Sequence, residues 1–327
     1  MRVIVLGGTR FIGRAIVDAL MAAGHDPLIC HRGVTEADGL PAGAHLHAER
    51  AELGEHQREL EAFDAEAVID CYAMSARDAH ALLVALPDPA LHRVVLSSQD
   101  VYRAFATVQR NGLATDAVPI TEDAPLRADR FPSRGEEGYE EYSKLEVEEA
   151  VLAAGATVLR LPMVYGPYDY QRREEFVLKR VRAGRLRIPV GAANALLPLA
   201  LVDDVGRGVV AAVEHRARGA TIYNLGPART DPMAVWMRRI LAAADSPAEL
   251  VRVPDGIPLP GDLGLTVAFS QPLVISSAKA RHELGYQDTD PDEAVSRSVR
   301  WHLAHPPEDV SGDFSADDRA LAATEGS

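Results

Sequence analysis

After the apolar run Val3-Ile4-Val5-Leu6 the chain reads Gly7-Gly8-Thr9-Arg10-Phe11-Ile12-Gly13, a glycine-rich spacing that turns tightly from a buried strand into a helix. Backbone amides at such a helix start point outward without intrahelical partners, and the helix dipole favours an anion there. The turn therefore suits the pyrophosphate of a dinucleotide. Gly7, Thr9, Arg10, Phe11, Ile12 and Gly13 are its expected contacts, with the Arg10 guanidinium supplying a fork of donors for phosphate oxygens. Two carboxylates stand near other groups able to move protons: Asp100, two residues past Ser98, and Glu140, four residues before Lys144. On a regular helix turning by about 100° per residue, Glu140 lies only about 40° off the Lys144 face, against about 160° for Tyr142 and about 140° for Tyr139. Gly138 leaves open a late helix start that would deliver a tyrosine instead. Two carboxyl groups in one site can divide acid and base roles where their surroundings separate their pKa values. Asp100 could equally cap a loop or pair with Arg103, and Glu140 could be a solvated acid at a helix start. The histidines form no cluster at metal-ligand spacing, so no metal is expected, and Gly-x-Ser-x-Gly is absent.

The elements that would position these groups follow from patterning. The 327 residues are 47% hydrophobic and 25% charged, which is globular composition. Their 34 basic and 48 acidic residues leave a net charge of −14, a field that repels nucleic acid and anionic membranes. No apolar run spans a bilayer, and Val3 to Leu6 is stopped by Gly7-Gly8 before it could act as a signal segment. A cytoplasmic location is expected, with Cys30 and Cys71 as buried, reduced thiols. Residues 1 to 102 alternate short β-branched runs with amphipathic stretches: strands at Arg2 to Leu6, Pro27 to Cys30, His45 to Ala48, Ala67 to Cys71 and Arg93 to Ser97, and a helix from Phe11 to Ala23. The fold class expected is α/β, a doubly wound parallel (Rossmann) sheet with its first strand between the second and fourth, and a smaller C-terminal substrate-binding lobe. Ala106 to Gly138 shows no period and reads as a long functional excursion. A helix from Tyr139 to Ala153, a strand at Thr157 to Leu161, a helix near Glu174 to Ala183, a strand-helix unit from Leu199 to Glu214 and a strand at Thr221 to Leu225 follow. Asp231-Pro232 is expected to cap a helix to Ala244, and a last helix spans about Asp292 to Ala304. Glu308 to Ser327 carries six acids against one Arg and reads as a solvated tail.

Several motifs together resemble the extended short-chain dehydrogenase/reductases, also called the NAD(P)-dependent epimerase/dehydratase family. They are the glycine turn, Ser97-Ser98-Gln99-Asp100-Val101-Tyr102, Arg160-Leu161-Pro162-Met163-Val164-Tyr165-Gly166-Pro167, Leu201-Val202-Asp203-Asp204-Val205, Tyr223-Asn224-Leu225-Gly226 and Glu283-Leu284-Gly285-Tyr286. The resemblance runs from Met1 to about Pro306 and is specific for fold and cofactor, not for substrate. It implies a cofactor domain over 1–165 to which 199–225 returns, a substrate lobe over 166–198 and 226–306, and a flexible acidic tail over 307–327. It implies that Ser98 orients the substrate oxygen and that Lys144 holds the nicotinamide ribose, with Tyr72, Pro162 and Val164 as further cofactor contacts. Arg10 replaces the middle glycine of the family's turn, and Glu140 stands where the family's proton-carrying Tyr would be.

A carboxylate at the end of the second strand binds the ribose hydroxyls of NAD and repels a 2′-phosphate; here His31 and Arg32 stand there, so NADP is expected, with NAD as the alternative. Members that bind sugar nucleotides keep an Arg where this chain has Leu197, and an apolar segment cannot neutralise a diphosphate unless Arg172, Arg173 or Arg185 serves instead. Leu197 and its neighbours could also be lobe packing or a dimer surface, which leaves a homodimer open. The function expected is an NADP-dependent oxidoreductase acting on a small carbonyl or alcohol, with Ser98, Asp100, Glu140, Tyr142 and Lys144 as candidate catalytic residues. The alternatives are an epimerase or dehydratase with transient hydride transfer, and a non-catalytic NADP-binding regulator or scaffold.

Overall fold

The computed structural model describes residues 1–34, 44–108, 113–217, 219–310 and 312–325. The first strand shows why a central sheet forms. Successive side chains point to opposite faces, and both sets are apolar: Val3 and Val5 enter one core, Ile4 and Leu6 another.

In chain order the cofactor half comprises β1 (Arg2–Leu6), α1 (Phe11–Ala22), β2 (Asp26–His31), β3 (Ala44–His47), α2 (Gln57–Ala62), β4 (Ala67–Asp70), α3 (Ala76–Ala85), β5 (His92–Ser98) and α4 (Arg103–Val108). It continues with α5 (Lys144–Ala153) and β6 (Thr157–Leu161), followed by β7 (Met163–Tyr165), α6 (Glu175–Arg182), β8 (Arg187–Val190), β9 (Leu199–Leu201), α7 (Val202–His215) and β10 (Thr221–Asn224). The lobe adds α8 (Met233–Ala243), β11 (Glu249–Arg252), α9 (Ala278–Leu284), α10 (Pro291–Ala304) and α11 (Ser315–Glu325). Seven parallel strands make one sheet in the order β10-β6-β5-β4-β1-β2-β3. The expected doubly wound Rossmann sheet is therefore present, with β1 between β2 and β4. The order reverses there, and the crevice beyond the carboxyl ends of these strands is where such sheets bind ligands.

Helices α1 and α7 cover the Val3/Val5 face, where Ile16, Val17, Leu20, Val205 and Val209 are fully buried. Leu82 of α3 and Val147 and Val151 of α5 cover the other. A third core builds the lobe around Trp236, Met237, Ile240, Val295 and Val299. β9 pairs with β7 outside the main sheet, so the 199–225 segment leads through α7 before β10 closes the sheet edge. Cys30 and Cys71 are free thiols on opposite sides of β1, and burial pushes Cys30 up to about 12. No helix among the described residues is long and apolar enough to cross a membrane.

Three local expectations are corrected. The helix expected from Tyr139 begins at Lys144, because Ser143 takes an extended backbone (φ −154°, ψ 92°) and its hydroxyl accepts from the Glu146 amide. At the Asp231-Pro232 step, Pro232 and not Asp231 is the cap residue of α8; the Asp231 carboxylate accepts from Arg229 and Arg239 instead. The acidic C-terminal segment is not a solvated tail, since it folds into α11 and buries Asp317, Ala320 and Leu321. Arg180 of α6, 1% exposed, donates to both oxygens of Asp317 at 2.6 and 2.9 Å and also to Asp262. A buried guanidinium needs such carboxylates, and the acids of this segment supply one.

Candidate active site

The turn after β1 is built by close approach. Gly7 has φ +90° and donates its N–H to the Cys30 carbonyl at 3.0 Å. A Cβ on Gly13 would lie 1.9 Å from the Gly7 oxygen, so only glycine lets α1 start against the turn. The cap residue, Arg10, makes no side-chain cap hydrogen bond, and the first amides of α1 are left directed at the crevice. An uncapped helix start above a backbone that approaches this closely fits a dinucleotide pyrophosphate. Arg10 is exposed and stacks its guanidinium over Tyr170, 5.1 Å from the ring centre. Phe11 meets the same ring edge-on at 6.3 Å, and Arg14 lies 4.1 Å over Tyr168. The segment 166–174 after β7 is thus a strap laid across the phosphate turn, and nothing in the sequence pattern marked Tyr168 or Tyr170 for this place.

At the end of β2, His31 is buried and Arg32 exposed. At the end of β4, the fully buried Asp70 accepts from Arg50 at 2.6 and 2.8 Å and from the Tyr72 amide at 3.0 Å. That pair holds the loop from which the exposed Tyr72 ring projects. Pro162, between β6 and β7, and Val164, within β7, are buried.

The candidate catalytic residues meet where β5 ends beside the start of α5. Ser98 accepts from the Asp100 amide at 3.2 Å and so caps the single turn Gln99–Val101. That turn aims the Asp100 carboxylate back over the strand end. Its Oδ2 accepts from the Tyr142 hydroxyl at 2.7 Å and pairs with Arg127 at 2.8 Å, while Oδ1 is buried with no partner among the described residues. The Ser98 side chain interacts with the same phenol. Burial first, then the Asp100 charge, push the Tyr142 phenol far above its ordinary value, so it stays protonated at neutral pH. Lys144 opens α5 and donates its ammonium to the carbonyls of Ala73 at 2.6 Å and Leu96 at 3.2 Å. Burial lowers its pKa against the pull of Asp70 and Asp100. The ammonium therefore ties the β4 loop to β5.

The placing of Glu140 on the Lys144 face is corrected. With Ser143 extended, the spacing that puts two side chains on one side is two residues, as in a strand, not the four of a helix. Tyr142 shares the side of Lys144 as a result. Glu140 is exposed and accepts from the Gly138 amide at 3.2 Å. Tyr139 packs edge-on against Tyr142, with ring centres 6.1 Å apart. The suggested Asp100–Arg103 pair is also corrected, because Arg103 binds Asp116. Arg127 comes from the 106–138 excursion, held by its backbone amide, which donates to the Val101 carbonyl at 2.8 Å. No periodicity pointed to it.

On the lobe side, Leu197 is buried in the lobe core. The three arginines considered as substitutes face protein partners: Arg172 donates to Glu175 and to the His305 carbonyl, Arg173 lies 3.9 Å from Asp169, and Arg185 pairs with Asp318.

Comparison with known proteins agrees with this geometry. Residues 3–226 match the NAD dependent epimerase/dehydratase family. The chain is 25% identical over 344 residues to the chloroplast stem-loop binding protein of 41 kDa b of Arabidopsis thaliana, covering 98% of this chain and 84% of that one. It is 30% identical over 311 residues to the 3-diazoavenalumate denitrifying reductase of a Streptomyces species, covering 89% and 97%. Among solved structures, dTDP-glucose 4,6-dehydratase from Bacillus anthracis in complex with NAD superposes with a TM-score of 0.70 at 16% identity, over 94% of this chain and 97% of that one. A Rossmann sheet, a glycine turn and a serine, tyrosine and lysine gathered at its crevice, with the family match across the same residues, make this chain a member of the NAD-dependent epimerase/dehydratase family, an enzyme of the NAD(P)-dependent oxidoreductase or epimerase/dehydratase type.

Proposed function

We propose that the chain is an NADP-dependent oxidoreductase that interconverts a small carbonyl compound and its alcohol, with Tyr142 as the group that exchanges a proton with the substrate oxygen. The observation that carries this reading is the Tyr142 hydroxyl seated between Ser98 and the Asp100 carboxylate, 2.7 Å from Asp100 Oδ2. The glycine turn, the uncapped start of α1, Tyr72 and Lys144 would hold the cofactor, which supplies or takes up the hydride when bound. Ser98 orients the substrate oxygen toward the phenol. In the reducing direction Tyr142 gives its proton to that oxygen and recovers one from solvent. In the oxidising direction the proton runs back through the phenol to solvent, while the Asp100 carboxylate, paired with Arg127, accepts from the hydroxyl and orients it. Lys144 keeps the loop after β4 and the end of β5 in register beneath these groups.

The reductase among the relatives supports net redox chemistry, and the buried Leu197 together with the partnered Arg172, Arg173 and Arg185 supports a substrate without a diphosphate. A second reading, an epimerase or dehydratase, draws on Asp100 Oδ1, a carboxylate oxygen without a protein partner that could take a proton from the carbon beside a transient ketone. The test is to follow NADPH absorbance with a panel of alkyl and aryl ketones and aldehydes while product is measured by chromatography. Mole-for-mole loss of NADPH supports the reductase. Product formed with the nucleotide unchanged overturns it in favour of the second reading.

A further inference from the structure

We propose that the strap 166–174 is a clasp that closes over the pyrophosphate of the bound dinucleotide, and that one proton held between Glu174 and His302 keeps it docked on α10. The inference needs only a dinucleotide at the glycine turn, so it stands apart from the reductase reading and from the choice between NADP and NAD.

The strap has two faces. Outward, Tyr170 covers the Arg10 guanidinium at 5.1 Å and meets Phe11 edge-on, while Tyr168 lies 4.1 Å under Arg14. Because α1 starts at Arg10 and Phe11, these rings wall the place toward which its first amides point. Inward, the strap sits on the last turn of α10. Tyr168 packs against Trp301 with ring centres 4.9 Å apart, and Arg172 donates to the carbonyls of His305 at 2.8 Å and His302 at 3.4 Å. Tyr168 and Arg172 carry left-handed backbones, at φ +64° and +50°, which are unfavourable for residues with a side chain. Docking must therefore offset strain that an undocked strap can relax.

His302 joins both ends of the strap. Its Nε2 lies 3.4 Å from Glu174 Oε2, at the end of the segment, and its ring faces the Gly166 backbone at the start. Oε2 and both ring nitrogens are buried with no other hydrogen-bond partner among the described residues, whereas Glu174 Oε1 accepts from the Ser298 hydroxyl. The other titratable groups facing this pair are Arg172, Arg182, Asp169, His305 and the Tyr165 phenol. Arg172 and Arg182 donate to Glu175, Asp169 accepts from the amides of Gln171 and Arg173, and His305 Nδ1 meets the Trp301 carbonyl. None of them bonds Glu174 Oε2.

A neutral imidazole has one ring proton, which can serve Gly166 or Glu174 but not both. A protonated Glu174 resolves this, because its Oε2–H donates to Nε2 while the ring proton goes to Gly166. Both ends of the strap are then held. Loss of the Glu174 proton to solvent leaves a buried carboxylate and takes one of the two contacts away. Burial raises Glu174 to about 7 and lowers His302 to about 4, so that proton leaves as pH rises through neutrality.

The experiment is calorimetric titration of NADH and NADPH, at about pH 6 and about pH 8, into wild type, Glu174→Gln and Tyr170→Ala. With the docked form giving way near 7, wild-type affinity for both nucleotides should fall about tenfold between the two conditions. NADH is included because a phosphate monoester such as that of NADPH titrates in the same range. Glu174→Gln presents an amide N–H to Nε2 at every pH, so at the higher pH it should bind as wild type does at the lower. Tyr170 is largely exposed, and its replacement should weaken both nucleotides about tenfold at the lower pH with little further loss at the higher. Hydrogen exchange of the cofactor-free protein gives a readout independent of binding: the strap amides should exchange faster in wild type than in Glu174→Gln at the higher pH, and alike at the lower. Wild-type affinity constant within about twofold, the same fall in Glu174→Gln, an unaffected Tyr170→Ala, or equal exchange at both pH values would each overturn the clasp while leaving the cofactor seat standing. A wild type that binds neither nucleotide defeats the seat itself, and the clasp with it.

Discussion

Replacing Glu148 with Leu should destabilise the protein by an amount that the burial of its partner sets. Glu148 lies one turn after Lys144 on α5, and its carboxylate accepts from Arg160 Nε at 3.0 Å, from Arg160 Nη2 at 2.7 Å and from the Ser97 hydroxyl at 2.6 Å. The side chains of Arg160 and Glu148 are 2% and 4% exposed, so the pair joins α5, β5 and β6 inside the fold. Arg160 also donates to the Glu122 carbonyl at 3.0 Å and lies 4.8 Å over the Tyr102 ring. Those contacts hold the guanidinium in place but do not neutralise it. Removing one partner of a buried pair typically costs about 3 to 5 kcal/mol, because the other charge is left without compensation. At about 2 °C per kcal/mol, the lower end of the range for large chains, Tm should fall by about 6 to 10 °C. Differential scanning calorimetry reads this directly. The double variant Glu148→Leu/Arg160→Met, which removes both charges and keeps the volume apolar, should recover most of the loss. A single-variant shift below about 2 °C, or a double variant no better than the single, would refute the assignment of the cost to a stranded charge.

Three further outcomes are expected. Burial raises Glu174 from 4.5 to about 7 and lowers His302 from 6.5 to about 4, so both are neutral in the folded protein near pH 6. The stability from Glu174 is present below its unfolded value and fades as pH rises toward 7, and that from His302 is present at neutral pH and fades as pH falls toward 4. Glu174→Gln deletes the first dependence alone, so its Tm relative to wild type should climb as pH is raised from 4.5 to 7, and a constant offset would contradict this. Truncation before Ser315 removes Asp317 from Arg180 and should lower Tm by several degrees, whereas a segment without structural role would leave it unchanged. Nucleotide sugars titrated by calorimetry in the presence of NADP should show no micromolar binding, because Leu197 is buried in the lobe core; micromolar binding of any of them restores the sugar-nucleotide reading.

The cofactor half was legible because its signals are local and redundant. β1 and β6 match their expected bounds, the buried strand Ala67–Asp70 ends one residue early, and His92–Ser98 extends by one residue at each end. The start of α5 was not legible for a physical reason. Four acids precede Lys144 within a stretch of helix-compatible residues, and what breaks the helix is the burial of Ser143 under the Met74 carbonyl, 2.9 Å from its amide, a contact between residues far apart in sequence. That one contact changes the relevant spacing from four to two and puts Tyr142, not Glu140, on the Lys144 side. Similarly, Arg127 and Arg180 reveal their roles only through partners distant in the chain, Asp100 and Asp317. The acidic end of the sequence looked solvated because composition cannot show that a buried arginine waits for it.

The central claim is that Tyr142 exchanges the proton with the substrate oxygen, and single-turnover hydride transfer in Tyr142→Phe and Glu140→Gln tests it most directly. Loss of a general acid costs about 10² to 10⁴ in rate, so Tyr142→Phe should fall by that factor with NADPH affinity intact, and Glu140→Gln should stay within about twofold of wild type. A Tyr142→Phe variant that turns over at the wild-type rate, with Glu140→Gln inactive, would contradict the account and return the proton to the carboxylate.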